Sequence, residues 1–146
     1  MKGKKYEGFS LIEILVVVAL IIILATITIV AINPAKNFRD TRNAQRSADV
    51  MQILNAVTQY TSEEGNSIAG LGTISTDCAA PTNIVTGTTF ESVLVDEFIV
   101  ALPRDPLAPA GTDTGYDICI TGTTGRVQVM APLSVQDNKP TITVKR

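Results

Sequence analysis

Histidine is absent from all 146 residues. That removes at once the usual general base, the usual metal ligand and every Ser–His or Cys–His nucleophile pair. Tryptophan is also absent and aromatics make up only 5%, so no stacking platform for bases or sugars is expected. Two cysteines cannot build a zinc site without partners such as histidine, nor an iron–sulfur site alone. Neither sign of charge dominates: 12 basic and 14 acidic residues give a formal charge of −2, which implies no polyanionic or polycationic partner. The length leaves room for one ordinary domain and little more. No catalytic constellation, cofactor-binding set or metal-ligand set is visible, and an enzyme is not expected. What the chain has in excess is apolar residues, with a mean hydropathy of +0.25, and the excess sits in one block.

The block is residues 9–32, FSLIEILVVVALIIILATITIVAI. As a helix at about 1.5 Å per residue it spans about 36 Å, enough for a hydrocarbon core of about 30 Å. An isolated strand cannot satisfy its backbone in lipid, so the segment reads as a transmembrane helix. Before it lies MKGKKYEG, with Lys2, Lys4 and Lys5 against Glu7. A cleaved secretory signal is the simpler alternative. Such a signal has a shorter apolar core, about 7–15 residues, and small residues at the cut, whereas Ile29-Val30-Ala31 is a poor site. Lys36, Arg39, Arg42 and Arg46 follow the block, so positive charge flanks both ends and does not fix orientation.

Glu13 interrupts the apolar run near its start. A charged side chain costs roughly 2.5–3.5 kcal/mol at mid-bilayer on insertion scales, so an intramembrane acid calls for a partner or a role. A local explanation competes: Ser10-Leu11-Ile12-Glu13 fits the capping box, in which the carboxylate satisfies the helix's first amide donors and suits its dipole.

The Lys-rich leader, Gly8, Phe9, Ser10-Leu11-Ile12-Glu13 and the unbroken apolar helix together resemble the precursors of type IV pilins and pseudopilins. In that family a membrane-embedded prepilin peptidase cuts after the glycine on the cytoplasmic side, and the new N-terminal phenylalanine is methylated. The resemblance implies a cut between Gly8 and Phe9, N-methylation of Phe9, and pairing of Glu13 with the terminal amine of a neighbouring subunit. It also implies a single-pass inner-membrane precursor whose C-terminal part is extracytoplasmic. A mispaired register would strand an acid in an apolar bundle, as one buried polar residue fixes register in a coiled coil. Ala19, Ala25, Thr26 and Thr28 would allow close helix approach.

Beyond the block, Pro34 is expected to break the helix, because proline lacks the amide donor and clashes with the preceding turn. Residues 35–62 read as an amphipathic helix with Val50, Ile53, Leu54, Val57 and Tyr60 or Thr61 on one stripe, extended by Ala44, Ala48 and Met51. Arg39, Arg42 and Arg46 are placed on the opposite stripe, where lipid-headgroup or subunit contacts are expected and direct DNA binding is not. Residues 65–89 read as a winding connection, and residues 90–102 as a short helix ended by Pro103. Leu102-Pro103-Arg104-Asp105-Pro106 is similar to an element in the heads of pseudopilins from type II secretion and competence systems. Alternation over Tyr116–Thr121, Arg126–Ala131 and Thr141–Lys145, with a turn at residues 121–125, predicts a three-stranded antiparallel meander on the helix stripe. So small a head needs a staple. An extracytoplasmic site permits a Cys78–Cys119 disulfide, with two free thiols as the alternative. Asp105, Asp113, Asp117 and Asp137 offer oxygen ligands for calcium, as in some major pseudopilins, but without EF-hand spacing; exposed aspartates in turns are the commoner explanation.

The expected fold is α+β and pilin-like. It comprises a leader (1–8), a transmembrane and assembly helix (9–32), an amphipathic continuation (33–62) and an extracytoplasmic head (63–146). The expected role is a structural subunit of a type IV pilus, with identical subunits, a prepilin peptidase, an inner-membrane assembly platform and the bilayer as partners. The alternatives are a pseudopilin for secretion or DNA uptake and, from another class, a monomeric anchored binding module. Losing Lys2, Lys4, Lys5 and Glu7 with the leader leaves 9 basic against 13 acidic residues, a charge of −4.

Overall fold

The computed structural model describes residues 8–122 and 124–146. Lys2, Lys4, Lys5 and Glu7 of the leader, and Thr123 of the 121–125 turn, lie outside the described residues. The chain divides into two compact units, the first reaching Phe38 and the second Arg39–Arg146.

In the first unit, helix α1 (Leu11–Ile32) follows an extended Ser10 and carries no buried residue. Its two hydroxyl side chains are satisfied within the helix: Thr26 Oγ1 donates to the Ile22 carbonyl and Thr28 Oγ1 to that of Leu24, each at 2.8 Å. Helix α2 (Pro34–Ser62) begins after a single break at Asn33, whose φ of 48° and ψ of 72° are left-handed. Pro34 disfavours a helical conformation at the residue before it, and asparagine is among the side chains that tolerate the left-handed one. The proline therefore occupies the first position of the new helix, where a missing amide donor costs nothing.

In the second unit the architecture is α+β, with an antiparallel sheet in the order β1 (Thr82–Val85), β2 (Asp113–Ile120), β3 (Val127–Ala131), β4 (Ile142–Lys145). Val50, Ile53, Leu54, Val57 and Tyr60 of α2 share one core with Ile84, Tyr116, Ile118, Val129 and Ala131 of the sheet. Phe90 and Leu94 of the short helix α3 (Thr89–Leu94) close that core.

Three expectations need correction. The sheet has four strands, because Thr82–Val85 pairs with β2 (Thr82 opposite Ile118, Asn83 opposite Asp117) inside the stretch read as a winding connection. Its single inward side chain, Ile84, leaves no alternation for a sequence to show. The helix read over residues 90–102 ends at Leu94, since Val95 turns extended and Asp96 takes a positive φ of 75°. Finally, Ala44, Ala48 and Met51 are exposed, and the buried face continues from Val50 back through Asp49, Arg46 and Asn43. The helical period holds while the chemistry of the buried stripe changes from apolar to ionic.

Candidate processing and assembly site

Gly8, Phe9 and Ser10 precede α1 as exposed, non-helical backbone. A side chain added at Gly8 would meet nothing within 4 Å, and Phe9 is 81% exposed. Among the described residues, nothing covers the Gly8–Phe9 peptide bond. Helix α1 then starts with the amides of Glu13 and Ile14 donating to the Ser10 carbonyl at 3.0 and 3.2 Å.

Glu13 stands in the first turn and is the only charged residue of α1. The capping box proposed for it is not formed, because Ser10 makes no side-chain cap bond. Among the described residues the Glu13 carboxylate has no hydrogen-bond or ion-pair partner. It therefore stands alone on a helix whose other polar side chains are already satisfied. Around it Leu11, Ile12, Ile14 and Leu15 are exposed, a surface that water does not favour.

A second polar constellation lies within the head. Arg46 has no exposed surface. Its Nε and Nη2 donate to both oxygens of Asp105 at 2.6 and 3.0 Å, and its Nη1 donates to Asp137 Oδ2 at 2.6 Å and Asn43 Oδ1 at 2.8 Å. Arg42 adds a second fork on Asp137, with Nε on Oδ2 at 2.8 Å and Nη2 on Oδ1. The bond to Asp105 raises the Arg46 guanidinium above its ordinary value despite burial. The forks from Arg42 and then Arg46 hold the Asp137 carboxyl well below the carboxylate range. One turn further, the Tyr116 hydroxyl donates to Asp49 Oδ2 at 2.6 Å. Burial first, and then Asp49, push this phenol far above its ordinary value.

Gly115 makes room for the cluster. At φ +79°, its added Cβ would fall 2.8 Å from Asp105 Cβ and 3.0 Å from Leu133 Cδ1. Only glycine allows the 103–112 segment to bring Asp105 against β2.

These contacts correct the placement of the arginines. Arg42 and Arg46 face the head and pair with Asp137 and Asp105; they do not form an outward basic stripe. Neither are the four aspartates brought together as a ligand set. Asp105 and Asp137 are engaged by guanidinium groups, while Asp113 and Asp117 lie on β2, where burial and then the Asp113 charge raise the Asp117 carboxyl. No group of three or more Cys, Asp or Glu side chains among the described residues is placed to hold a metal ion. Cys78 and Cys119 are joined by a disulfide with their Cα atoms 5.3 Å apart. The Ile120 amide donates to the Ser75 carbonyl nearby at 2.8 Å, so bridge and backbone together pin this connection to the end of β2. Pro34 lies at the break between the two helices.

Sequence reasoning singled out Arg46, Asp105 and Asp137 for other roles and missed their pairing with one another, as it missed the Tyr116–Asp49 pair. Stepping back by four and seven positions from Val50 reaches Arg46 and Asn43, so the helical period did mark the face.

A family model described as the prokaryotic N-terminal methylation motif matches residues 3–29. The match takes in Gly8, Phe9, Glu13 and most of α1. No curated protein and no solved structure matches the chain.

Proposed function

We propose that this chain, with an N-terminal methylation motif over residues 3–29, is a pilin-type structural subunit. It is made as a membrane-anchored precursor, trimmed by a prepilin peptidase and polymerised through α1 into a type IV pilus. Hydrolysis of the Gly8–Phe9 amide takes up one water, leaves a carboxylate on Gly8 and frees the Phe9 amine, which is then methylated. That amine is a cation below about pH 7.7–8, and a glutamate is an anion above about pH 4.3. Each is costly alone in hydrocarbon, and pairing them between copies removes part of both costs. The observation that carries the reading is Glu13, without a partner among the described residues and set on an otherwise apolar, uncovered helix about one turn after the Gly8–Phe9 bond.

A second reading, a pseudopilin for secretion or DNA uptake, is favoured by Leu102-Pro103-Arg104-Asp105-Pro106. Its Asp105 holds the buried Arg46, so the element has a structural task in this head. Filament length and surface location under the electron microscope separate the two.

Intact mass after expression with a prepilin peptidase tests the processing step. Loss of residues 1–8 and gain of one methyl group is the expected result. An intact N-terminus, or a cut near Ala31, would contradict it.

A further inference from the structure

The ion cluster of the head lies at the end where α2 enters it, and two cations without partners border it. Arg39 is half-buried and, four and seven positions before Asn43 and Arg46, shares their side of α2. Among the described residues its guanidinium has no hydrogen-bond or ion-pair partner. Lys139 is exposed, and only its backbone amide is engaged, donating to the Ser134 carbonyl at 3.2 Å. The nearby carboxylates, Asp105 and Asp137, are already taken by Arg46 and Arg42. Asp40, also exposed, projects about 100° round the helix from Arg39.

Exposed apolar side chains flank the same cluster. The 3-10 helix Pro132–Asp137 turns its last carboxylate inward onto Arg42 and Arg46 and leaves Val135 59% exposed. Across the cluster the Leu107 amide donates to Asp105 Oδ1 at 2.8 Å, and the Leu107 side chain is 37% exposed. Apolar side chains beside unanswered cations suit the boundary of an anionic membrane. The chain itself holds such a boundary near. Helix α1 is long and apolar enough to cross a membrane. Residues 33–38 alone separate Ile32 from Arg39, a link of at most about 25 Å even when fully extended. So short a tether gives a high effective concentration, and a contact that is weak between free partners becomes populated.

We infer that this end of the head is a membrane-docking surface: Arg39 and Lys139 meet anionic phospholipid headgroups, while Val135 and Leu107 enter the boundary of the hydrocarbon. The inference rests on the membrane-anchored precursor proposed above and does not require polymerisation. The paired arginines contribute no free charge to the contact, since Asp105 and Asp137 neutralise them. Arg39 and Lys139 supply the attraction, and the two apolar side chains supply the depth. Leaving the bilayer breaks these contacts.

The chain contains no tryptophan, so a single introduced one reports its own surroundings. The full chain carrying Val135→Trp, in vesicles of mixed zwitterionic and anionic phospholipid, should be quenched by lipid brominated near the headgroup and shielded from acrylamide. Leu107→Trp should behave in the same way. Val100→Trp is the control: Val100 is 88% exposed and close in sequence to Phe98, whose ring meets Tyr60, about 27 Å along α2 from Arg42. It should be reached by acrylamide and not by bromolipid. Adding Arg39→Glu and Lys139→Glu to Val135→Trp, or using wholly zwitterionic vesicles, should remove at least about half of the bromolipid quenching. An intact Cys78–Cys119 disulfide shows that each variant is folded. Equal bromolipid quenching at positions 135 and 100, or quenching at 135 that ignores both the cations and the anionic lipid, would overturn the inference. Leu20→Trp, within α1, checks the premise, and no bromolipid quenching there would sink the membrane-anchored reading itself.

Discussion

Arg46 sits without exposed surface among Asp105, Asp137 and Asn43, each of its three guanidinium nitrogens donating to an oxygen there. Taking away one partner of such a set leaves buried, uncompensated charge and costs about 3–5 kcal/mol. Arg46→Leu is therefore expected to lower the unfolding free energy of the detergent-solubilised chain by about that amount. Urea titration followed by the near-UV signal of the tyrosines checks it; a shift under about 1 kcal/mol would mean that the cluster is relieved by water. Gly115→Ala, forced into a positive φ and against Asp105, is expected to cost about 1–3 kcal/mol in the same assay. The pH dependence follows from two groups of opposite sign. Asp137 is held below its ordinary 3.8, so its contribution is whole above about pH 4 and drains away as pH falls through the folded value. Tyr116 is raised above its ordinary 10.0, so its contribution is whole below about pH 10 and is lost as pH rises further. Urea midpoints should fall at both extremes, and Asp137→Asn should abolish most of the acid fall. Asp117, whose carboxyl burial raises, works against the acid loss and makes it shallower.

Among the elements, the connection from Ser62 to β1 is the least regular, and it is tied by the Cys78–Cys119 bridge, 41 residues apart in sequence. In the chain-entropy account, closing a loop of that size stabilises by about 4 kcal/mol. Replacing both cysteines by serine should cost that much, read from the same urea curve, with β1 loosening before β3 and β4 in hydrogen exchange. How much of the fold the sequence displays depends on how each element is buried. Helix α1 shows in its unbroken hydropathy, and β2, β3 and β4 show in their alternation, because one face of each meets the core. Strand β1 puts only Ile84 inside, and nothing periodic survives in four residues. Past Leu94 the apolar spacing through Phe98 continues to look helical, but the chain leaves the helix at Val95 and turns left-handed at Asp96. The methylation motif over residues 3–29, with Gly8, Phe9 and Glu13 in it, is legible because local order along the chain defines it. The ion cluster is not, because Arg46, Asp105 and Asp137 lie 59 and 91 residues apart and only folding assembles them.

At the scale of the molecule, the head has a core, a staple and satisfied ions, whereas α1 has no buried residue at all. A helix of that composition is stable only where hydrocarbon or other helices cover it. In the assembly proposed above, its sole ion, Glu13, is the group assigned to set the order. The measurement that reaches this claim most directly is filament yield from Glu13→Ala beside wild type, each expressed with a prepilin peptidase and an assembly platform. The variant is predicted to insert in the membrane, to be cut between Gly8 and Phe9, and to form few or no filaments. Filaments of the variant at wild-type yield and order would show that the carboxylate is not what sets the register.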